Sequence, residues 1–203
     1  MKTFPAIAAF EFDDIAVGVW VTDAMLKRAP IAFFKSGTIT AGRYLTLIGG
    51  TTASVGESAG EAIRHAGDHL VDHVFLSDVH PRLYTGVLGA RRSRASGAVA
   101  VLETSTVSAS VRAAEAALKG TAVELVEIRL GDSGLAGKGL IVLEGDLHDV
   151  DAAISLALER AGEGGVNVSW RVIPAPHDAL FAQIAHASAF AACQIIDLEG
   201  ETV

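Results

Sequence analysis

The chain is predicted to fold as two tandem α/β (α+β) domains of the same build. Three observations predict it: a duplicated sequence pattern, matching apolar stripes at helical spacing, and glycines or prolines at equivalent seams. Ala6-Ile7-Ala8-Ala9-Phe10-Glu11 aligns with Ala98-Val99-Ala100-Val101-Leu102-Glu103 at an offset of 92 residues. At the same offset Asp23-Ala24-Met25-Leu26-Lys27 falls on Glu115-Ala116-Ala117-Leu118-Lys119. Ile15, Val19, Thr22 and Leu26 meet Val107, Val111, Ala114 and Leu118, a mostly apolar i, i+4, i+7, i+11 stripe in both copies. A loop three residues longer in the second copy moves the offset to 95, where Ala41-Gly42-Arg43 meets Ala136-Gly137-Lys138 and Gly50 meets Gly145.

Each copy therefore reads strand, helix, strand, glycine-bearing loop, strand, helix, strand. The elements are expected at 6–12, 15–28, 31–35, 43–49, 53–66 and 70–77, then at 98–104, 107–119, 124–130, 138–144, 149–161 and 166–172. Ser54 with Glu57 has the spacing of a capping box, and Asp149 stands where the N-cap of the matching helix is expected. Gly67 and Gly162 are placed to stop those two helices. Each copy closes on a proline-bearing piece, Val79-His80-Pro81 or Pro174-Ala175-Pro176-His177, followed by a short apolar, helix-like run. The division is a first domain over 1–90, a linker over 91–97, a second domain over 98–186 and a tail over 187–203. Arg91, Arg92 and Arg94 in the linker read as a solvated basic cluster.

Composition narrows the partners. Half of the 203 residues are hydrophobic, enough for a sizeable core. A formal charge of -8 disfavours a grip on nucleic-acid phosphates. Mean hydropathy of +0.40 is high, yet charges or glycines break every apolar run before membrane-spanning length, so the surplus apolar surface is assigned to subunit interfaces. Glu11, Asp13 and Asp14 interrupt the N-terminal apolar stretch before a signal-peptide core is complete, which predicts residence in the cytoplasm. Cys193 is the single cysteine, so there is no intrachain disulfide and no C-x-x-C clamp.

No constellation for catalysis emerges. Gly131 to Gly139 is glycine-rich, but five residues separate Gly131 from Gly137-Lys138 and glycine follows the lysine, so the phosphate-loop spacing fails. His65, His69 and His73 recur every four residues, but Gly67 breaks the helix that would align them on a metal, so no metal site is expected. Asp13-Asp14 and the strand-ending Glu11 and Glu103 offer carboxylates without a nucleophile or base, and the duplicated glutamates read as structural.

The two copies resemble shell domains of bacterial microcompartments, with closest likeness to the family's propanediol-type tandem members. Carrying residues are Asp23 to Lys27, Ser36-Gly37-Thr38-Ile39-Thr40-Ala41-Gly42-Arg43, Val101 to Thr104, Ala116 to Gly120, Ala136-Gly137-Lys138 and Val172 to His177, within a match from about Ala6 to Ile184. The resemblance implies a four-stranded antiparallel sheet with flanking helices in each copy, and a homotrimer closing as a pseudo-hexamer in the compartment shell. It implies a non-enzymatic structural role, other shell proteins as partners, and small metabolites passing a central pore. The pore loops map onto Lys35 to Ala41 and Leu130 to Ala136, which makes Ser36, Gly37, Thr38, Ile39, Thr40, Gly131, Asp132, Ser133 and Gly134 the pore-lining residues. The family's tile-edge lysine maps onto Lys27 and Lys119. Propanediol-type members hold an iron–sulfur cluster through a pore-loop cysteine; Thr40 stands at that position, so no cofactor is expected. Asp132 on a threefold axis would gather three carboxylates and disfavour anions unless Lys35 offsets them. The rival readings are a shell component binding a redox group through another ligand, and a cytosolic trimeric ligand sensor.

Overall fold

The computed structural model describes residues 4–93, 97–163, 165–198 and 200. Its first half runs β1 (Ala6–Phe12), α1 (Ile15–Arg28), β2 (Phe33–Ile39), β3 (Arg43–Gly50), α2 (Thr52–Ala66), β4 (Leu70–Ser77) and α3 (Pro81–Val87). The second repeats the order as β5 (Ala98–Thr104), α4 (Val107–Gly120), β6 (Glu124–Leu130), β7 (Gly139–Gly145), α5 (Leu147–Ala161), β8 (Val168–Ile173) and α6 (Asp178–His186). Each half forms a four-stranded antiparallel sheet, ordered β2-β3-β1-β4 and β6-β7-β5-β8. The central β1 is buried along its whole length, apolar apart from Glu11. Among the described residues, no helix is long and apolar enough to cross a membrane.

Three local expectations need correction. Strand β2 extends to Ile39 because Lys35, Ser36, Gly37 and Thr38 keep pairing with β3, so most of the first mapped loop is strand. Small and polar residues with weak strand preference hid that extension. The N-cap of α2 is Thr51, whose hydroxyl accepts from Ser54 N at 3.2 Å, and Glu57 pairs with Arg28 instead of closing a capping box. In α5 the cap position is Asp146, leaving Asp149 in the first turn. Thr51 and Asp146 are themselves related by the 95-residue offset and directly follow Gly50 and Gly145. Gly67 and Gly162 do end α2 and α5.

One apolar cluster spans the two halves, beside a separate cluster in each. Ile7, Leu45, Leu47, Val74 and Leu83 of the first half pack in the same apolar cluster as Leu102, Val107, Val111, Leu125 and Leu143 of the second. Helix α4 lies in that seam, with Val107, Val111, Ala113, Ala114 and Ala117 all buried. Full burial of a valine side chain contributes about 1.5–3 kcal/mol. The equivalent α1 buries only Gly18, Val21, Thr22 and Met25, and leaves Ile15 and Val19 42% and 51% exposed. The linker contributes too: Arg91 pairs with Glu127 and donates to the Ile184 carbonyl, contrary to the solvated reading, while Arg92 stays largely exposed. Arg94 lies outside the described residues.

At the centre of the seam, Glu11 is fully buried and its Oε1 accepts from Ser108 N at 2.6 Å, in the first turn of α4. Its other oxygen faces Arg43 Nη1 at 3.5 Å. Burial raises the Glu11 pKa above 4.5, opposed by the helix-terminal amides of Ser108 and Val107. Because the folded chain holds this proton more tightly than the unfolded chain, Glu11 contributes stability that is greatest below pH 4.5 and is lost as pH rises through its raised folded value. Glu11→Gln is expected to flatten the fall in melting temperature across that window; an unchanged pH profile would place the titration elsewhere.

Candidate functional site

The two mapped loop regions meet inside a single chain, and Thr40 joins them. Its amide donates to the Gly131 carbonyl at 2.9 Å, and its hydroxyl donates to the same oxygen at 2.7 Å. Gly137 N in turn donates to the Thr40 hydroxyl at 2.8 Å. Thr40 thus uses both roles of a hydroxyl group to clamp the loop of one domain to that of the other.

The backbone is shaped for this approach. Ala41 and Ala136, equivalent by the 95-residue offset, both adopt positive φ, at 65° and 49°. A left-handed alanine costs about 1–2 kcal/mol, so the same strain is held in place twice by surrounding contacts. Gly131 has φ of +67° and no room for a side chain, since a Cβ there would stand 2.6 Å from Ile39 Cδ1. It is buried under Ile39 and serves the loop contact rather than an opening within the chain. Ser36, Gly37, Ile39 and Thr40 are half-buried, whereas Thr38, Asp132, Ser133 and Gly134 are exposed.

Asp132 is not a bare charge. Arg129, itself buried, donates through Nε to both carboxylate oxygens at 3.0 and 3.1 Å and through Nη2 to Oδ1 at 2.5 Å. The same Nη2 reaches the Ser133 carbonyl at 2.7 Å. This forked pairing sets a guanidinium against the Asp132 carboxylate and fixes the turn. The Asp132 carbonyl also accepts from Leu135 N, so the residue shapes the turn through its backbone as well. Lys35 lies across a cavity of about 230 Å3 lined by Ser36, Thr38, Ile39, Leu130 and Asp132. No ion pair of Lys35 occurs among the described residues, whereas Asp132 is paired with Arg129. Arg129 was missed in the sequence because it lies within β6, outside the mapped loop, although its place three residues before Asp132 across Gly131 was a readable signal.

The two edge lysines differ. Lys27 at the end of α1 is 75% exposed and pairs with Asp23 at 2.5 Å. Lys119 at the end of α4 sits at the domain seam, 2.9 Å from Glu115, whose carboxylate accepts from His80 N. The three histidines diverge as expected: His65 meets Glu61, His69 meets Asp13, and His73 stacks on Phe10 with ring centroids 5.9 Å apart. Lys138 of the glycine-rich stretch is committed to Glu103 at 2.7 Å. Cys193 donates its thiol to the Ala187 carbonyl within the tail.

Replacing Thr40 by valine keeps the shape and removes the clamp, leaving Gly137 N without its acceptor. Thr40→Val is expected to cost about 1–3 kcal/mol in denaturant unfolding; a loss within error would show that packing of Ile39 on Gly131 suffices.

Comparison with known proteins agrees with this architecture. The BMC domain family matches residues 6–79 and again 98–176. The shell protein PduT of Citrobacter freundii is 36% identical over 179 residues, spanning 88% of this chain and 97% of that protein. A microcompartment protein from Desulfitobacterium hafniense superposes with a TM-score of 0.75 at 32% identity, covering 88% of this chain and 98% of that one. A double-ringed trimeric shell protein of the RMM microcompartment shares the fold at a TM-score of 0.56 and 14% identity, over 76% of this chain and 81% of that one. PduT and the RMM protein are described as shell proteins, and the Desulfitobacterium hafniense protein as a microcompartment protein. The chain belongs to the BMC-domain family of bacterial microcompartment shell proteins and carries two tandem BMC domains.

Proposed function

We propose that three copies close into a ring whose paired loops border a central passage for small polar metabolites, and that this ring is a tile of the microcompartment shell. One observation carries the reading: the seam inside the chain has both of its counterpart faces left open. Val107 and Val111 of α4 are fully buried on the first domain, whereas Ile15 and Val19, their equivalents on α1, face solvent. Glu11 is fully buried on the α4 N-terminus, whereas the side chain of its equivalent, Glu103, is 42% exposed. Repeating the seam between chains would seat α1 of one copy on β5 and β8 of the next, and a head-to-tail contact of this kind forms a closed ring or an open filament. The relative described as a double-ringed trimer supports closure at three copies. Exposed Lys27 would then meet neighbouring tiles, with Lys119 held back at the seam.

Light scattering on the purified protein is expected to give three times the 21.0 kDa chain mass. A monomer at micromolar concentration would end the ring reading.

Charge at the passage is assigned to Lys35, since Asp132 is paired with Arg129. Three lysines near one axis favour anionic metabolites over neutral ones of equal size. In sheets of the protein spanning a support, Lys35→Gln is expected to lower anion flux several-fold and leave a neutral solute unchanged. Equal effects on both solutes would contradict the assignment. Thr40 hydrogen-bonds both loops and offers no thiolate, so this reading gives the passage transport and not a cluster-borne redox role.

A further inference from the structure

Both domains repeat the strand pair beside the loop contact, and the two pairs carry different side chains at their matching positions. Lys35 pairs with Leu47 and Gly37 with Leu45 across β2 and β3, while Glu127 pairs with Val142 and Arg129 with Leu140 across β6 and β7. Leu45 and Leu47 stand 95 residues before Leu140 and Val142. Strand register, which takes account of the bulge in β6 between Leu125 and Glu127, therefore makes Lys35 the counterpart of Glu127 and Gly37 the counterpart of Arg129. In the second domain both polar groups are committed within the chain. Glu127 pairs with Arg91 and accepts from the Ser188 hydroxyl, and the buried Arg129 spends its donors on Asp132 and the Ser133 carbonyl.

In the first domain a glycine stands where the second has the arginine, and the space is left open. A Cβ on Gly37 would have nothing within 4 Å. The cavity of about 230 Å3 lies at this place, walled by Ile39, Leu45, Leu47, Val87 and Leu130. Its charged lining residues are Lys35 and Asp132; Arg129 holds the second, and no ion pair of the first occurs among the described residues. Apolar cavities are poorly hydrated and take up apolar bodies, and an ammonium at the wall adds a place for one negative charge. The volume suits roughly seven or eight non-hydrogen atoms at about 30 Å3 for each water-sized unit.

We infer that this cavity binds a small amphiphilic monocarboxylate, its aliphatic body against Leu45, Leu47 and Val87 and its carboxylate on the Lys35 ammonium. A doubly charged head such as a phosphate ester is disfavoured, because the Asp132 carboxylate lines the same space. A neutral body of equal size fits the wall but leaves the ammonium unanswered. Val87 and Lys35 come from the first domain and Leu130 and Asp132 from the second, so the ligand touches both sides of the contact that Thr40 clamps. The site lies within one chain and does not depend on the ring. Where the ring forms, a bound carboxylate answers the Lys35 charge that is otherwise offered to the passage.

The test is calorimetric titration of the full-length protein with hexanoate, acetate and hexanol. Hexanoate is expected to saturate at one per chain and to bind more than about tenfold tighter than acetate, since each buried methylene is worth about a fourfold gain. Lys35→Gln is expected to weaken hexanoate by about fivefold or more and to leave hexanol within about twofold, because only the carboxylate uses the ammonium. Gly37→Leu, which fills the cavity, should abolish binding of both. In the wild type, nuclear Overhauser contacts from the hexanoate chain should reach the methyl groups of Leu45 and Leu47, a readout that needs no variant to fold. No saturable hexanoate binding, hexanoate no tighter than acetate, binding indifferent to Lys35→Gln, or contacts to methyl groups elsewhere would each overturn the inference. Light scattering on the same samples reads the ring separately. A monomer that binds hexanoate removes the ring and keeps the site, whereas a trimer that does not bind it removes the site and keeps the ring.

Discussion

The buried Glu11 side chain on the first turn of α4 is the contact that joins the two domains. Glu11 ends the central strand of one domain, and its Oε1 takes the Ser108 amide of the other at 2.6 Å. Removing a carboxylate from water is costly, and helix-terminal amides with a nearby guanidinium are the means of offsetting that cost. Once Glu11 is committed to α4, Val107 and Val111 are carried into the shared core, Arg112 reaches Asp72, and Arg43 bridges Glu11 to the Ser105 and Gly137 carbonyls. Arg43 follows the Thr40 turn, so the inter-domain carboxylate and the clamped loop pair belong to one hydrogen-bonded network.

Duplication explains why that network has an unused copy. Each domain presents a glutamate near the end of a central strand and a helix start able to cap it, so two domains hold two of each and one chain uses one of each. The remaining pair, Glu103 with the start of α1, is held provisionally: Lys138 pairs with Glu103, and Ile15 and Val19 stay in water. The copies have diverged at other positions of this face, as at Arg112 and Trp20.

The repeat, the order of elements and the helix stops at Gly67 and Gly162 were legible in the sequence because they depend on apolar spacing and backbone freedom, both local properties. The full length of β2 was not, because Lys35 to Thr38 form a strand only through the neighbouring β3. The charge state of the loop pair was illegible for a related reason. Asp132 reads as a free acid until the turn at Gly131 brings Arg129 back onto it. Glu11 and Glu103 read as structural from their matching positions, but only the packed seam separates a buried cap from an open one.

The most direct measurement of this account is a high-resolution structure of the assembled protein. Ala16 is the equivalent of Ser108. The account predicts a Glu103 carboxylate oxygen at hydrogen-bond distance, about 2.6–3.1 Å, from the Ala16 amide of the partner subunit, with Ile15 and Val19 buried beside it. An assembly in which Glu103 stays with Lys138 in solvent and α1 faces water would contradict it.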